Sequence, residues 1–187
     1  MVEDDRRAIG IGAMTGTHRG AEPRWLTEPE QQAWRAYLRG SRMLMEAMDK
    51  DLAPYGMSLS EYEIVSMLSE QPERQLRMSE LAAIIVQSRS RLTHTATRLE
   101  QRGWVTRRPY PGDKRGVLLT LTDEGFAKVV ETAPVHLSTV RRFLIDQLSP
   151  AEFVALGTAM AQVRRGLVGY VADVGPPGPG GLRDWQA

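Results

Sequence analysis

The sequence contains no cysteine, which excludes disulfide staples, thiolate metal ligands and thiol-based redox sensing. Histidine is almost as scarce. His18, His94 and His136 are scattered, with no pair at the i, i+4 spacing that sets two imidazoles on one helix face, so neither a bound metal nor a cofactor is expected. No apolar run approaches the roughly 18 residues needed to cross a bilayer, so no membrane partner is expected. The opening stretch MVEDDRRAIGIGAMTGTHRGAEPR has no signal-peptide core of about 7 to 15 apolar residues, and cytoplasmic residence is the resulting expectation. There is also no Gly-rich phosphate loop, no nucleophile elbow and no cluster of acids beside a histidine, so the chain is not expected to be an enzyme.

Net charge is also small, +1 over 187 residues, yet its distribution is uneven. Residues 88–115 hold Arg89, Arg91, Arg98, Arg102, Arg107, Arg108, Lys114 and Arg115 against Glu100 and Asp113. That is a local surplus of six positive charges in a chain of total +1, which leaves the remainder at −5. Such concentration is the footprint of a surface that meets a polyanion, while a merely solvated basic face has the same composition.

The length suits one substantial core, and the pattern between two irregular ends is mainly α. Residues 1–26 lack periodicity and residues 173–187 are rich in Pro and Gly, so both are expected to be disordered or loosely attached. Thr27 and Glu30 form a capping box that starts a helix over about 28–53, with Trp34, Tyr37, Leu38, Leu44, Met45, Met48 and Leu52 as its buried stripe. Pro54 and Gly56 end it, and Ser60 with Glu63 is expected to cap a second helix that turns Ile64, Val65, Met67 and Leu68 inward. Gln75–Met78 reads as a short strand, Ser79 as the cap of a short helix, and Ser88 or Ser90 as the cap of another ending near Arg102 and Gly103. WVTRRP and GVLLTLT then flank YPGDKR as a β-hairpin, with Gly112 free to take a positive φ. Two long helices close the chain. One starts at Thr122 with Phe126, Val130, Ala133, Leu137, Val140 and Leu144 as its stripe and a bend expected at Pro134; the other starts at Ser149 with Phe153, Leu156, Met160, Val163, Leu167 and Tyr170. Their alternating steps of three and four suit helix against helix, in a bundle or a dimer seam.

The stretch SRSRLTHTATRLEQRG carries the most specific chemistry. On a wheel of 100° per residue, Leu92, Ala96 and Leu99 share one face, and Ser90, His94, Thr97 and Gln101 lie opposite, edged by Arg91 and Arg98. Short hydrogen-bonding side chains with arginines at the edges suit a helix entering a major groove about 12 Å wide. Ser88, at the helix start, offers a hydroxyl and nearby backbone N–H groups to a phosphate. Arg89 and Arg91 are candidates for bidentate guanine contact or phosphate clamping; His94 and Thr97 are either base readers or solvent-exposed spacers. Trp34, Tyr37 and Tyr62 are either core or the lining of a crevice that accepts an aromatic ligand.

Taken in order, LAAIIVQSRSRLTHTATRLEQRGWVTRR, the hairpin PGDKRGVLLTLTDEG and two closing helices resemble the MarR family of winged helix-turn-helix transcriptional regulators. The similarity spans about residues 28–171, and RLEQRGWVTR, Asp113-x-Arg115 and LTLTDEG are its most specific pieces. The resemblance implies a dimerisation helix over 27–58, a winged helix-turn-helix over 59–121 and C-terminal dimerisation helices over 122–172, while the extension over 1–26 exceeds the common family core and the tail over 173–187 follows it. It implies a homodimer whose N- and C-terminal helices interlock, with two winged modules on double-stranded DNA at a pseudo-palindromic operator. Residues 89–98, Thr93 among them, occupy the recognition-helix positions. Arg115 matches the wing arginine that enters the minor groove, and Asp113 the acid that fixes the wing by pairing with Arg115 or another nearby arginine. Lys114 lies at the wing tip, and Arg107 and Arg108 are read as backbone contacts or solvated charges. Family members often bind small aromatic or phenolic anions and release DNA in response. A dimeric repressor with such an effector is therefore the expectation, and a sequence-indifferent architectural DNA binder is its alternative.

Overall fold

A computed structural model of the chain describes residues 23–85 and 87–167, with Lys114 and Arg115 described by their backbone alone. Most of the expected extension, the expected tail and Tyr170 lie outside these residues. The chain divides into two compact units at Tyr37 and Leu38, within its first helix.

Helix α1 spans Glu28–Leu52. In the first unit, Glu30 reaches back to accept from the Thr27 amide at 2.7 Å and from the Thr27 hydroxyl at 2.9 Å, half of the expected reciprocal box. Trp34 and Tyr37 stack on one another, ring centroids 5.9 Å apart. The expected inward stripe is not formed along most of α1. Met48 and Leu52 are buried, while Trp34 is 50% exposed, Tyr37 44% and Met45 49%. The periodicity was that of an apolar face, and such a face is buried only where something covers it.

In the second unit, a short 3-10 turn at Ala53–Tyr55 ends at Gly56, whose φ of 69° is the left-handed conformation glycine tolerates. Helix α2 spans Leu59–Ser69, and its cap is Ser58 with Glu61, two positions before the expected Ser60 and Glu63. Met57 is buried, so the chain must turn immediately after it, and Ser58 in extended conformation is the residue left to receive the helix amides. Strand β1, Gln75–Arg77, runs directly into helix α3, Met78–Ile84. Ser79 is thus already helical, and the capping position falls to Arg77, which makes no side-chain cap bond.

Helix α4 spans Arg89–Gln101, strand β2 Val105–Tyr110 and strand β3 Asp113–Leu121. The three strands form one antiparallel sheet in the order β1-β3-β2. Leu119 pairs with Leu76 on one side and Arg107 on the other. Gly112 at the hairpin turn has φ 81°. One core joins Leu52, Ile64, Leu68, Leu81, Leu92, Leu99, Val105 and Leu119, so α2, α3, α4 and the sheet fix one another's positions.

Helix α5, Asp123–Phe143, is capped by Thr122, whose hydroxyl accepts from the Gly125 amide at 3.0 Å. It continues through Pro134 and buries Gly125, Val129, Thr132 and Thr139. The stripe expected to pack helix against helix, in a bundle or a dimer seam, is a different set of positions. Val130 and Leu137 of the expected stripe are 59% and 55% exposed. Burial follows the short side chains because a helix packs closest where its surface is small; Gly125 lies against the Trp104 carbonyl. Helix α6, Pro150–Leu167, carries the expected box of Ser149 and Glu152 and buries none of its side chains.

Candidate DNA interface

Helix α4 displays two contrasting faces. Leu92, Thr95, Ala96 and Leu99 are buried, whereas Ser88, Arg89, Ser90, Arg91, Thr93 and His94 are exposed and Thr97 half-buried. Ser88 is the cap, its hydroxyl oxygen accepting from the Arg91 amide at 3.3 Å. Every threonine of this helix donates its hydroxyl proton backwards: Thr93 to the Arg89 carbonyl at 2.8 Å, Thr95 to that of Arg91 at 3.1 Å, and Thr97 to that of Thr93 at 2.9 Å. Just before the cap, the buried Gln87 donates to Glu63 of α2 at 3.3 Å. Burial pushes the Glu63 carboxyl above the usual carboxylate range, partly offset by Gln87 and the nearby charge of Arg91.

The far half of α4 is fastened by Glu61. Its carboxylate, only 3% exposed, accepts from Arg98 Nε at 3.2 Å and lies 3.5 Å from an Arg102 terminal nitrogen. That arginine also donates to the Gly56 carbonyl. Burial works to raise the Glu61 carboxyl, but the Ser58 amide and hydroxyl and the charges of Arg102 and Arg98 outweigh it, so it is held below its ordinary range. Glu61 escaped the sequence reading because it lies 37 positions before Arg98. The signal was present in Ser58-x-x-Glu61, overlooked in favour of the similar spacing two residues later.

The hairpin of β2 and β3 is tied down from a third strand. Asp113 pairs with Arg77 at the end of β1, so the acid expected to hold the wing takes an arginine 36 positions upstream. The Arg77 guanidinium also lies 3.9 Å over the Tyr110 ring. Gly116 leaves room for this cluster, since a Cβ there would stand 2.8 Å from Tyr110 Cβ and 3.1 Å from the Asp113 carboxylate. Arg107 is bound to Glu100 of α4, through its amide at 3.2 Å and Nε at 2.9 Å; this bonding holds the Glu100 carboxyl below its usual range. Arg108 is exposed. The side chains of Lys114 and Arg115 lie outside the described residues.

Of the residues read as ligand contacts, Trp34 and Tyr37 form the exposed stack of the first unit. Tyr62, in the second, is buried with its ring 4.4 Å from that of His136. Burial lowers the His136 imidazole below its ordinary value, and its Nδ1 has no hydrogen-bond partner among the described residues.

A family model described as the MarR family matches residues 57–117, the segment from the start of α2 into β3. The HTH-type transcriptional regulator PecS of Dickeya dadantii (strain 3937) is 31% identical over 131 residues, 70% of this chain and 78% of PecS. The transcriptional repressor MprA of Escherichia coli (strain K12) is 32% identical over 116 residues, 57% of this chain and 66% of MprA. Among solved structures, Sco3205, a MarR family transcriptional regulator from Streptomyces coelicolor crystallised in complex with DNA, is 43% identical with a TM-score of 0.76. The match covers 80% of this chain and 94% of Sco3205. The family and these relatives are transcriptional regulators, not enzymes. With the winged helix-turn-helix described above and relatives matched over most of their length, the chain belongs to the MarR family of transcriptional regulators.

Proposed function

We propose that this regulator is a cytoplasmic homodimeric repressor that binds a pseudo-palindromic operator with α4 in the major groove and the β2–β3 hairpin at the minor groove. The observation that carries this reading is the display of Ser88 at the cap and Arg89, Ser90, Arg91, Thr93, His94 and Thr97 on a helix whose Leu92, Thr95, Ala96 and Leu99 are buried in the core. The Sco3205 complex with DNA supports the partner, and the description of MprA as a repressor supports the direction of regulation. Arg89, Arg91 and Arg108 supply phosphate or base contacts, Arg115 and Lys114 the wing tip, and Asp113 the anchor of the wing. Arg98 and Arg107 belong to the same surface, but their ion pairs with Glu61 and Glu100 make them supports of the interface before they are contacts.

The dimer rests on uncovered apolar surface. Residues 27–58 and 122–172 are assigned to it, and residues 59–121 to DNA binding. Phe153, Leu156, Met160 and Val163 follow steps of three and four along α6, and all are at least 36% exposed. A helix with such a face and no buried side chain is stable where a partner covers it. Two copies would set their α4 helices about one DNA turn, roughly 34 Å, apart.

A small aromatic or phenolic effector that favours a dimer geometry with misplaced helices would release the operator. The exposed Trp34–Tyr37 stack is one candidate contact, and Tyr62 beside His136, whose Nδ1 has no partner among the described residues, is another. Genomic footprinting tests the whole reading. Protection of a two-fold related site near regulated genes, lost in moderate salt and on adding phenolic compounds, is the expected outcome; a specificity ratio near one in competition would instead mark an architectural binder.

A further inference from the structure

We infer that Thr93 and Thr97 select A·T base pairs, and that they do so through their methyl groups against the thymine 5-methyl. This rests on the placement of α4 in the major groove and adds which base pairs its middle turn reads.

The starting point is where the hydroxyl protons go. Thr93 and Thr97 donate theirs to the carbonyls of Arg89 and Thr93 at 2.8 and 2.9 Å, both short, well-formed bonds. A threonine hydroxyl has one proton. Once it is committed within the helix, the side chain presents a methyl group and an oxygen that only accepts. Phosphate oxygens also only accept, as do N7 and O6 of guanine, so neither of these is a partner for such a side chain. A base edge that is complementary must offer a donor, an apolar group, or both. The A·T pair offers both, the adenine N6 amino group and the thymine 5-methyl, whereas a G·C pair offers the cytosine N4 amino group and no methyl.

Position and economy agree with this assignment. Thr95 makes the same backward bond but is buried; its methyl serves the core. Thr93 and Thr97 lie one helical turn apart on the outward face between Arg89 and Gln101, about 6 Å along the axis, a spacing that reaches two nearby base pairs. Threonine is a poor helix former, and its backward bond tends to bend a helix. The exposed Thr93 contributes nothing to packing that would offset this.

The test uses the full chain and a duplex operator recovered from a randomised-site selection, read by fluorescence anisotropy at fixed salt. Replacing thymine by deoxyuracil removes one 5-methyl and no hydrogen-bonding group. At one of the positions met by Thr93 and Thr97 in each half-site this removes two 5-methyl groups from the duplex and is expected to weaken wild-type binding about 16-fold, about fourfold for each methyl uncovered. Thr97→Ser and Thr93→Ser, which keep the backward bond and delete one methyl in each protomer, should each bind thymine operators more weakly by about fourfold per half-site and lose all sensitivity to deoxyuracil at one position each. Thr97→Val and Thr93→Val keep a methyl and should retain that sensitivity. Sequence-preferring binding with no response to deoxyuracil anywhere, or a serine variant as sensitive as wild type, overturns the inference while leaving α4 as the recognition helix. Absence of any preferred duplex overturns the placement of α4 and this inference with it.

Discussion

Glu61 on α2 and Arg98 on α4 are joined carboxylate to guanidinium at 3.2 Å, with the carboxylate almost wholly buried and the arginine 41% exposed. The same carboxylate receives the Ser58 amide and hydroxyl, both at 2.9 Å, so one side chain closes the start of α2 and orients the later turns of α4. Glu61→Gln keeps the shape but removes the charge facing Arg98 and Arg102. A loss of about 1–3 kcal/mol is expected, read from the midpoint of urea unfolding with an unchanged slope. Because the Glu61 carboxyl is held below its ordinary range, this contribution is present above the unfolded carboxylate value, about 4.3, and disappears as pH falls through the folded value. Wild type and Glu61→Gln should therefore converge in stability toward acid pH, and parallel pH curves would refute the charge-based account.

Arg107 and Arg108 are neighbours on β2 with different employment. Arg107 spends its charge on Glu100, whereas Arg108 is exposed. Each phosphate neutralised contributes about −0.9 to the slope of log affinity against log salt. Arg108→Ala is expected to reduce the steepness by about 0.9 per half-site, and Arg107→Ala by clearly less, although it loosens the α4–β2 contact. Titration of operator DNA at several salt concentrations separates them; equal slopes would mean that Arg107 leaves Glu100 for phosphate.

Much of this fold was legible because local signals decide it. The Thr122 and Ser149 caps, the Gly112 turn, the α4 cap at Ser88 and the paired runs of the hairpin each follow from a few adjacent residues. What escaped was set by tertiary contact. The apolar steps along α5 and α6 identified helices correctly but not what covers them, and the positions by which α5 meets the core, Gly125, Thr132 and Thr139, are short side chains that no apolar stripe marks. At the candidate interface, α4 and the hairpin stand out in the sequence as a charge surplus. Charge counting in sequence could not show that Arg98 and Arg107 are held by Glu61 and Glu100, or that Asp113 reaches back to Arg77.

Gly125 exemplifies a constraint with no local signal. A Cβ at this position would stand 2.1 Å from the Trp104 carbonyl oxygen and 2.7 Å from Leu121 Cδ1. The backbone of the β2 approach cannot withdraw without breaking the bond from the Thr122 amide to that same carbonyl, 3.0 Å long. Gly125→Ala is expected to destabilise the fold by about 1–3 kcal/mol through overpacking, despite the better helix propensity of alanine. Gly157→Ala, on α6 where a Cβ meets nothing within 4 Å, should instead be neutral or slightly stabilising in thermal unfolding.

Asp113→Asn isolates the wing. It leaves the sheet register intact but removes the charge that holds Arg77, whose guanidinium also covers Tyr110. Both partners are partly exposed, so global stability should change by less than about 1 kcal/mol. Backbone amides of Tyr110 and residues 112–117 should exchange hydrogen faster, and operator affinity should fall, because a wing free to wander loses entropy on docking. Unchanged exchange in the hairpin would show that strand pairing alone suffices to hold it.

His136 links α5 to α2 through the Tyr62 ring, at 4.4 Å between centroids. Burial lowers its imidazole in the folded protein, so the unfolded chain takes up a proton near its ordinary value of about 6.5 while the folded chain does not. Stability should therefore fall as pH drops below about 6.5, by at most about 1.4 kcal/mol per pH unit, until the folded value is reached. This trend adds to any carboxylate effect but occupies a higher pH window than that of Glu61, so the two are separable in one titration. His136→Phe keeps a ring against Tyr62 and removes the titrating group. Denaturant midpoints measured between pH 5 and 8 should show the wild-type decline and its absence in the variant, and a decline of equal size in both would assign it to other groups.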